Sequence, residues 1–160
     1  MNRTALRLSV ALAAALLSTA ARAATATNTF AVTAQVAAKC SVTTSDIAFG
    51  SYDPTAGVDL DAQGSLTVTC TKGTSFTVGL DNGTSGISGT RQMSGAGDVL
   101  GYELYSDSTR TAVWTNAAMP ASQGAAGKAG NLLFVYARIP AGQYPTAGSY
   151  SDTVTVTVNY

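Results

Sequence analysis

Thr153-Val154-Thr155-Val156-Thr157-Val158-Asn159-Tyr160 sets an apolar or aromatic side chain at every second position, with threonine or asparagine between. Side chains of an extended strand point alternately to opposite faces, so this stretch reads as a strand with one dry and one wet face. The same period recurs upstream. Phe30, Val32, Ala34 and Val36 alternate with Ala31, Thr33 and Gln35; Leu66, Val68 and Cys70 alternate with Thr67 and Thr69; Leu100, Tyr102 and Leu104 follow suit. Phe76, Val78 and Leu80 run into Asp81-Asn82-Gly83, expected to make a hairpin turn because Asn-Gly tolerates positive φ.

Other segments are less regular. Ile47 and Phe49 form a short apolar pair ending at Gly50. Residues 83–97 are rich in Gly and Ser, as in a long loop or a weak edge strand. Residues 112–114 read as one more short strand and 116–130 as a loop. Residues 132–139 are apolar almost throughout, as expected of a mid-sheet strand buried on both faces, and Pro140 stops it. Seven or eight short strands imply an all-β, immunoglobulin-like β-sandwich. A closed barrel is the alternative; two long loops and uneven strand spacing favour the sandwich.

The chain has 160 residues, enough for one ordinary domain. It is 46% hydrophobic and 11% charged, a composition that fills a core rather than a disordered tail. Residues 1–23 have the form of a signal peptide: Arg3 and Arg7, an apolar run over 8–17, then Ala21-Arg22-Ala23 as a cleavage site. That run is about half the length needed to span a bilayer. Its removal leaves six basic against nine acidic residues, a formal charge of −3, with no basic patch to attract nucleic acid.

Cys40 and Cys70 are the only cysteines, and an exported protein is expected to pair them. Closing the intervening loop removes about 3–4 kcal/mol of unfolded-state entropy. The chain has no histidine, so Ser-His-Asp and Cys-His mechanisms lack their base, and two thiolates alone make no usual zinc site. Most carboxylates stand beside turn residues, which gives no sign of a paired acid and base. Asp59-Leu60-Asp61-Ala62-Gln63-Gly64 opens like a calcium loop, but its twelfth position is Cys70 instead of Glu. Asn82-Gly83-Thr84 matches a glycosylation acceptor and reads more simply as the turn. Trp114 and the tyrosines are expected to serve the core before any sugar. No cofactor, metal or small-molecule substrate is expected, and no catalysis.

The leading segment is informative in another way. No Gly or Pro separates Phe30 from Cys40, so residues 27–41 are able to stay extended for about 50 Å. Such a run either bends to supply two strands of its own domain or reaches outside it.

Cys40-Ser41-Val42 followed by Ile47-Ala48-Phe49-Gly50-Ser51-Tyr52-Asp53-Pro54 resembles the opening of the spore coat protein U-like domain of archaic chaperone–usher pilins. The likeness continues through Gly64-Ser65-Leu66-Thr67-Val68-Thr69-Cys70, Arg91-Gln92-Met93, residues 100–107 and Trp114. It closes with Tyr136-Ala137-Arg138-Ile139-Pro140-Ala141-Gly142-Gln143 and residues 148–156. The resemblance implies a sandwich lacking its last strand, whose groove is filled first by a periplasmic chaperone and then by a neighbour's N-terminal segment. It implies that residues 24–36 donate that strand through Phe30, Val32, Ala34 and Val36, and that 37–160 form the pilin domain. The small Ala34 is a departure from strong donors. The resemblance makes Cys40–Cys70 the family disulfide, and makes Val154, Val156, Val158 and Tyr160 the strand bordering the groove. Identical or related subunits, the chaperone and an outer-membrane usher are then the partners. The destination is a fimbria on the cell surface, serving attachment and biofilm formation. The other reading is a secreted monomeric carbohydrate-binding β-sandwich using Trp114 or tyrosine-rich loops; a coat or matrix protein is a third.

Overall fold

The computed structural model describes residues 22–84, 90–117 and 127–160. The expected signal peptide, apart from its last two residues, lies outside the described residues, as does the centre of the expected 116–130 loop. The chain divides into two compact units between Ala34 and Gln35. Residues 22–34 contain neither helix nor strand.

The described residues of the second unit contain seven strands: β1 Cys40–Thr44, β2 Leu60–Cys70, β3 Thr77–Leu80, β4 Arg91–Gly95, β5 Asp98–Tyr105, β6 Asn131–Ile139 and β7 Val156–Asn159. Five form one antiparallel sheet in the order β1-β2-β6-β5-β4, and β3 and β7 form a second. Two sheets enclosing one core make this a sandwich rather than a barrel. Leu66, Val68, Leu100, Leu104, Val135, Ala137 and Ile139 face inward from the larger sheet, Val78 and Leu80 from the smaller. The alternation read from the sequence sets these faces, since a one-residue slip would expose every one of them.

Several expectations need correcting. Within 27–41 the pairing ladder begins only at Cys40; residues 22–39 carry no strand. β2 starts at Leu60, so the loop position expected for the acids ends at Asp59; residues 60–64 of the stretch that fails as a calcium loop are strand, with Asp61 paired to Arg138 at 2.7 Å. β6 is central, but Leu132 and Phe134 are 56% and 44% exposed: a two-layer sandwich covers only one face of each sheet. Asp81-Asn82-Gly83 does turn, with Gly83 at φ 78° and its N–H donating to Asp81 Oδ1 at 3.0 Å, yet it makes no hairpin. The partner of β3 is β7, because the chain crosses to the other sheet after the turn. Residues 112–114 reach only an isolated bridge, Tyr105 to Val113. The weak edge strand is real: β4 ends the larger sheet and joins β5 through Ala96 and Gly97, both at positive φ.

Three polar devices hold the layers. Trp114 is 2% exposed; its backbone N–H donates to Leu104 O at 2.8 Å and its Nε1 to Val78 O at 3.0 Å, so it spans both sheets and presents no ring face to a sugar. Arg91 is 1% exposed, forms a salt bridge with Glu103, and donates to the carbonyls of Asp81, Leu80 and Trp114. Asp152 accepts from Tyr102 Oη, Thr84 N, Thr84 Oγ1 and Thr153 N at 2.8 Å each, while Asp81 accepts from Thr155 N. For both carboxylates burial pushes the pKa up, but the bonds they accept outweigh it, and the net shift is downward. Burial first, and the bond to Asp152 second, push the Tyr102 phenol well up.

Two outcomes follow. Arg91→Ala leaves Glu103 without its salt-bridge partner and three carbonyls without this donor, and should cost about 3–5 kcal/mol in urea denaturation; a loss under about 1 kcal/mol would contradict this role. Asp152 and Asp81 have folded pKa values below their unfolded ones, so their contribution is complete above about pH 4 and is lost as pH falls through the folded values. Stability should fall with acid below about pH 4, with a shallower fall in Asp152→Asn. An equal acid dependence in that variant would contradict the assignment.

Candidate functional site: an open edge and a trench

The two sheets are not closed all the way round. On one side of β3, Leu80 N–H donates to Thr115 O, and the carbonyls of Val78 and Leu80 accept from Trp114 and Arg91. At the far edge of the larger sheet, Ser94 and Ser151 bridge to each other through N–H···O bonds of 3.0 and 3.1 Å. These contacts seal β3 and β4. β1 and β7 remain.

Burial reports the difference. Val158 and Val156 lie opposite Val78 and Leu80. The β3 pair is 3% and 2% exposed, whereas both valines of β7 are only half-buried. Across the opening, Cys40 and Val42 are half-buried, while their β2 partners Cys70 and Val68 are buried. Core-facing side chains on both rims thus lack cover on one side.

The backbone points the same way. In an antiparallel pair, residues alternate between exchanging hydrogen bonds with the partner and directing them away. Asp81 N–H donates to Thr155 O at 3.1 Å, and the groups of Val78 and Leu80 serve the other side of β3. The N–H and C=O groups of Val156 and Val158 therefore face away from β3, into the opening. In β1, Lys39–Thr71 and Ser45–Ser65 are bonded pairs, so Cys40, Val42 and Thr44 turn their groups outward as well.

Between the rims runs a trench with an apolar floor and mixed walls. One part, of about 470 Å³, is walled by residues 44–49 and 150–156 and floored by Leu66, Leu80, Leu104 and Val135. A second, of about 720 Å³, continues it between residues 47–54 and 145–150. Ile47, Phe49, Met93 and Tyr150 line both. The two walls run antiparallel, since one number series rises along the trench as the other falls. Each wall rests on a glycine. A Cβ on Gly64 would stand 2.5 Å from Ile47 Cγ1, and one on Gly95 would stand 1.9 Å from Ser149 O. No other residue permits either approach.

The residues read from the sequence fall as follows. Cys40 and Cys70 are joined as a disulfide, tying the β1 rim to β2. Val154, Val156 and Val158 are half-buried against the core; Tyr160 is exposed. Strand β7 is shorter than the 153–160 alternation, with Val154 before it and Tyr160 after it. Phe30, Val32 and Val36 are 88%, 84% and 80% exposed, and Ala34 is exposed too. The sequence reading missed Met93, Tyr150 and Asp152 as trench residues. The apolar Ile47–Phe49 pair was visible, but nothing in its pattern marked it as a wall. Among the described residues no group of acids or cysteines is placed to hold a metal.

Comparison with known proteins agrees with this architecture. The chain is 33% identical over 157 residues to Protein U of Myxococcus xanthus, covering 88% of each. It is also similar to a chain in the crystal structure of the CsuC–CsuE chaperone–tip adhesion subunit pre-assembly complex from the archaic chaperone–usher Csu pili of Acinetobacter baumannii. That match has a TM-score of 0.58 and 26% identity. It covers 78% of this chain and 40% of the other, so this chain spans well under half of that neighbour's length. Residues 26–157 match the Spore Coat Protein U domain, and this chain belongs to that family.

Proposed function

We propose that this protein is a structural subunit of an archaic chaperone–usher fimbria that polymerises by lending its leading segment to a neighbour. Residues 24–36 are the donor and 37–160 the acceptor domain. The observation that carries the reading is the pairing of half-buried valines with outward-facing backbone groups on β7, opposite an equally unfinished β1. An open edge of this kind satisfies its hydrogen bonds by adding an extended strand, whose alternate side chains fill pockets below.

The leading segment has the matching form. Phe30, Val32, Ala34 and Val36 occupy one face of an extended chain and are exposed, and the family match begins upstream of them at residue 26. Burial of Phe30, Val32 and Val36 supplies at most about 5–9 kcal/mol. Ala34 adds little and leaves room above the trench floor. The rims run antiparallel, so a single strand between them is antiparallel to one and parallel to the other.

Before assembly the same edge needs a substitute strand, which is the part of a periplasmic chaperone; an outer-membrane usher then passes the subunit to the cell surface. The head-to-tail contact does not close on itself and yields a filament, suited to attachment and biofilm formation. The role is structural rather than catalytic.

Val32→Asp places a charge in the trench floor and should abolish filament growth while leaving export intact. Deletion of 24–36 should convert a polymerising chain into one that stays monomeric and depends on a chaperone. Normal fibres from either variant would overturn the donor role. A stable, chaperone-free monomer that retains 24–36 would favour the secreted binding module instead.

A further inference from the structure

The charges of the domain are sorted along its length. Lys39 precedes β1, Lys72 follows β2 and Lys128 lies in the 3-10 turn Gly127–Ala129 that leads into β6. The antiparallel registers put these three positions at one end, since Cys40 lies opposite Cys70 and Asn131 opposite Val68. All three lysines are exposed, and none forms a salt bridge with a described residue.

The other end is acidic. Leu60 lies opposite Ile139 there, and β5 begins there at Asp98. Asp59 and Asp61 pair with Arg138, and Asp61 also with Arg110. Asp53 and Asp98 are left with hydroxyl and backbone donors only: Asp53 binds Thr55, and Asp98 binds Val99 N and Thr146. Those bonds hold both carboxyls below the usual range, so both are charged at neutral pH. Strand β2 separates the two ends by about 33 Å, about three Debye lengths at 0.1 M salt, so they are too far apart to pair within one molecule.

We infer that the lysine end of one copy docks against the aspartate end of the next when the leading segment is bound. The inference rests on the donor reading above and adds the face that flanks it. Covalent geometry brings the lysine end close. Only Ala37 and Ala38 separate Val36 from Lys39, and Ala37 O already accepts from Thr71 Oγ1 at 3.1 Å. About 10 Å of chain therefore links the last donor side chain to the three lysines. Val36 leaves the acceptor trench at one of its two mouths. At one mouth stand Pro54 and Thr146, beside Asp53 and Asp98. At the other stand the ends of β1 and β7, beside the acceptor's own Lys39 and Lys72. Opposite charges select the first mouth, which fixes the donor antiparallel to β7 and parallel to β1. Charges at the rim of an interface act mostly on encounter rate and its salt dependence.

Assembly of the exported subunit, followed by light scattering at about 20 and about 200 mM salt, tests the inference. K39E/K72E/K128E should slow assembly about tenfold at the lower salt and reverse the effect of added salt. Adding Asp53→Lys and Asp98→Lys to that chain reverses both ends and should restore the rate. Thermal unfolding of each variant confirms that the domain is intact. Unchanged kinetics in the triple variant, or no recovery in the doubly reversed one, would overturn the docking contact while Val32→Asp still blocks growth. A Val32→Asp subunit that polymerises normally would overturn the donor reading itself, and the contact with it.

Discussion

The unpaired edge of β7 is the constraint on which the rest of the structure turns. A buried backbone N–H or C=O without a partner costs about 1–3 kcal/mol, so an edge that is also core-facing is unstable by construction. Among the described residues, β1 across the trench is open in the same way, and the other two edges are finished. Thr115 and Trp114 cover β3, and Ser151 covers β4. The same final segment that seals β4 at Ser151 then switches sheets to pair with β3, leaving its outer side bare. Half-buried valines and the trench are two views of that one omission.

The domain tolerates the omission because its rims are fastened elsewhere. The disulfide holds β1 against β2, and closure of its loop is worth about 3–4 kcal/mol. Gly64 lets Ile47 lie flat on the larger sheet, so the wall after β1 stays close to the core without a strand partner. On the opposite rim, Asp152 and Asp81 tie residues 152–155 to Tyr102, Thr84 and the turn after β3. Arg91 links the two layers where no apolar side chain reaches four acceptors at once. The opening is therefore framed by well-fastened elements, as the proposed docking of an incoming strand requires.

Much of this was legible in the sequence, for a definite reason. Period-two alternation is a local signal, and it placed the core faces of β2, β3, β5 and β7 through residues such as Val68, Val78 and Leu104. The ordered motifs identified the family that residues 26–157 match. What stayed hidden depends on partners distant in sequence. Leu132 and Phe134 look like core until the sandwich is known to cover one face only. Asp59–Gly64 looks like a loop until Arg138 arrives from β6 to pair with Asp61. Asn82-Gly83 looks like a hairpin turn because nothing local says that β3 will wait for β7. The trench walls combine both cases, since Ile47 and Tyr150 come from irregular segments on opposite sides of the chain.

Amide hydrogen exchange at Val156 and Val158 gives the most direct test. In the subunit with residues 24–36 deleted and freshly released from its chaperone, both amides should exchange within the time of an unprotected edge, while Leu80, bonded to Thr115 O, stays protected. In the assembled fibre both should slow by orders of magnitude as a neighbour's segment pairs with them. Protection of Val156 and Val158 already present in the deleted monomer, or unchanged exchange on assembly, would contradict an edge completed from outside.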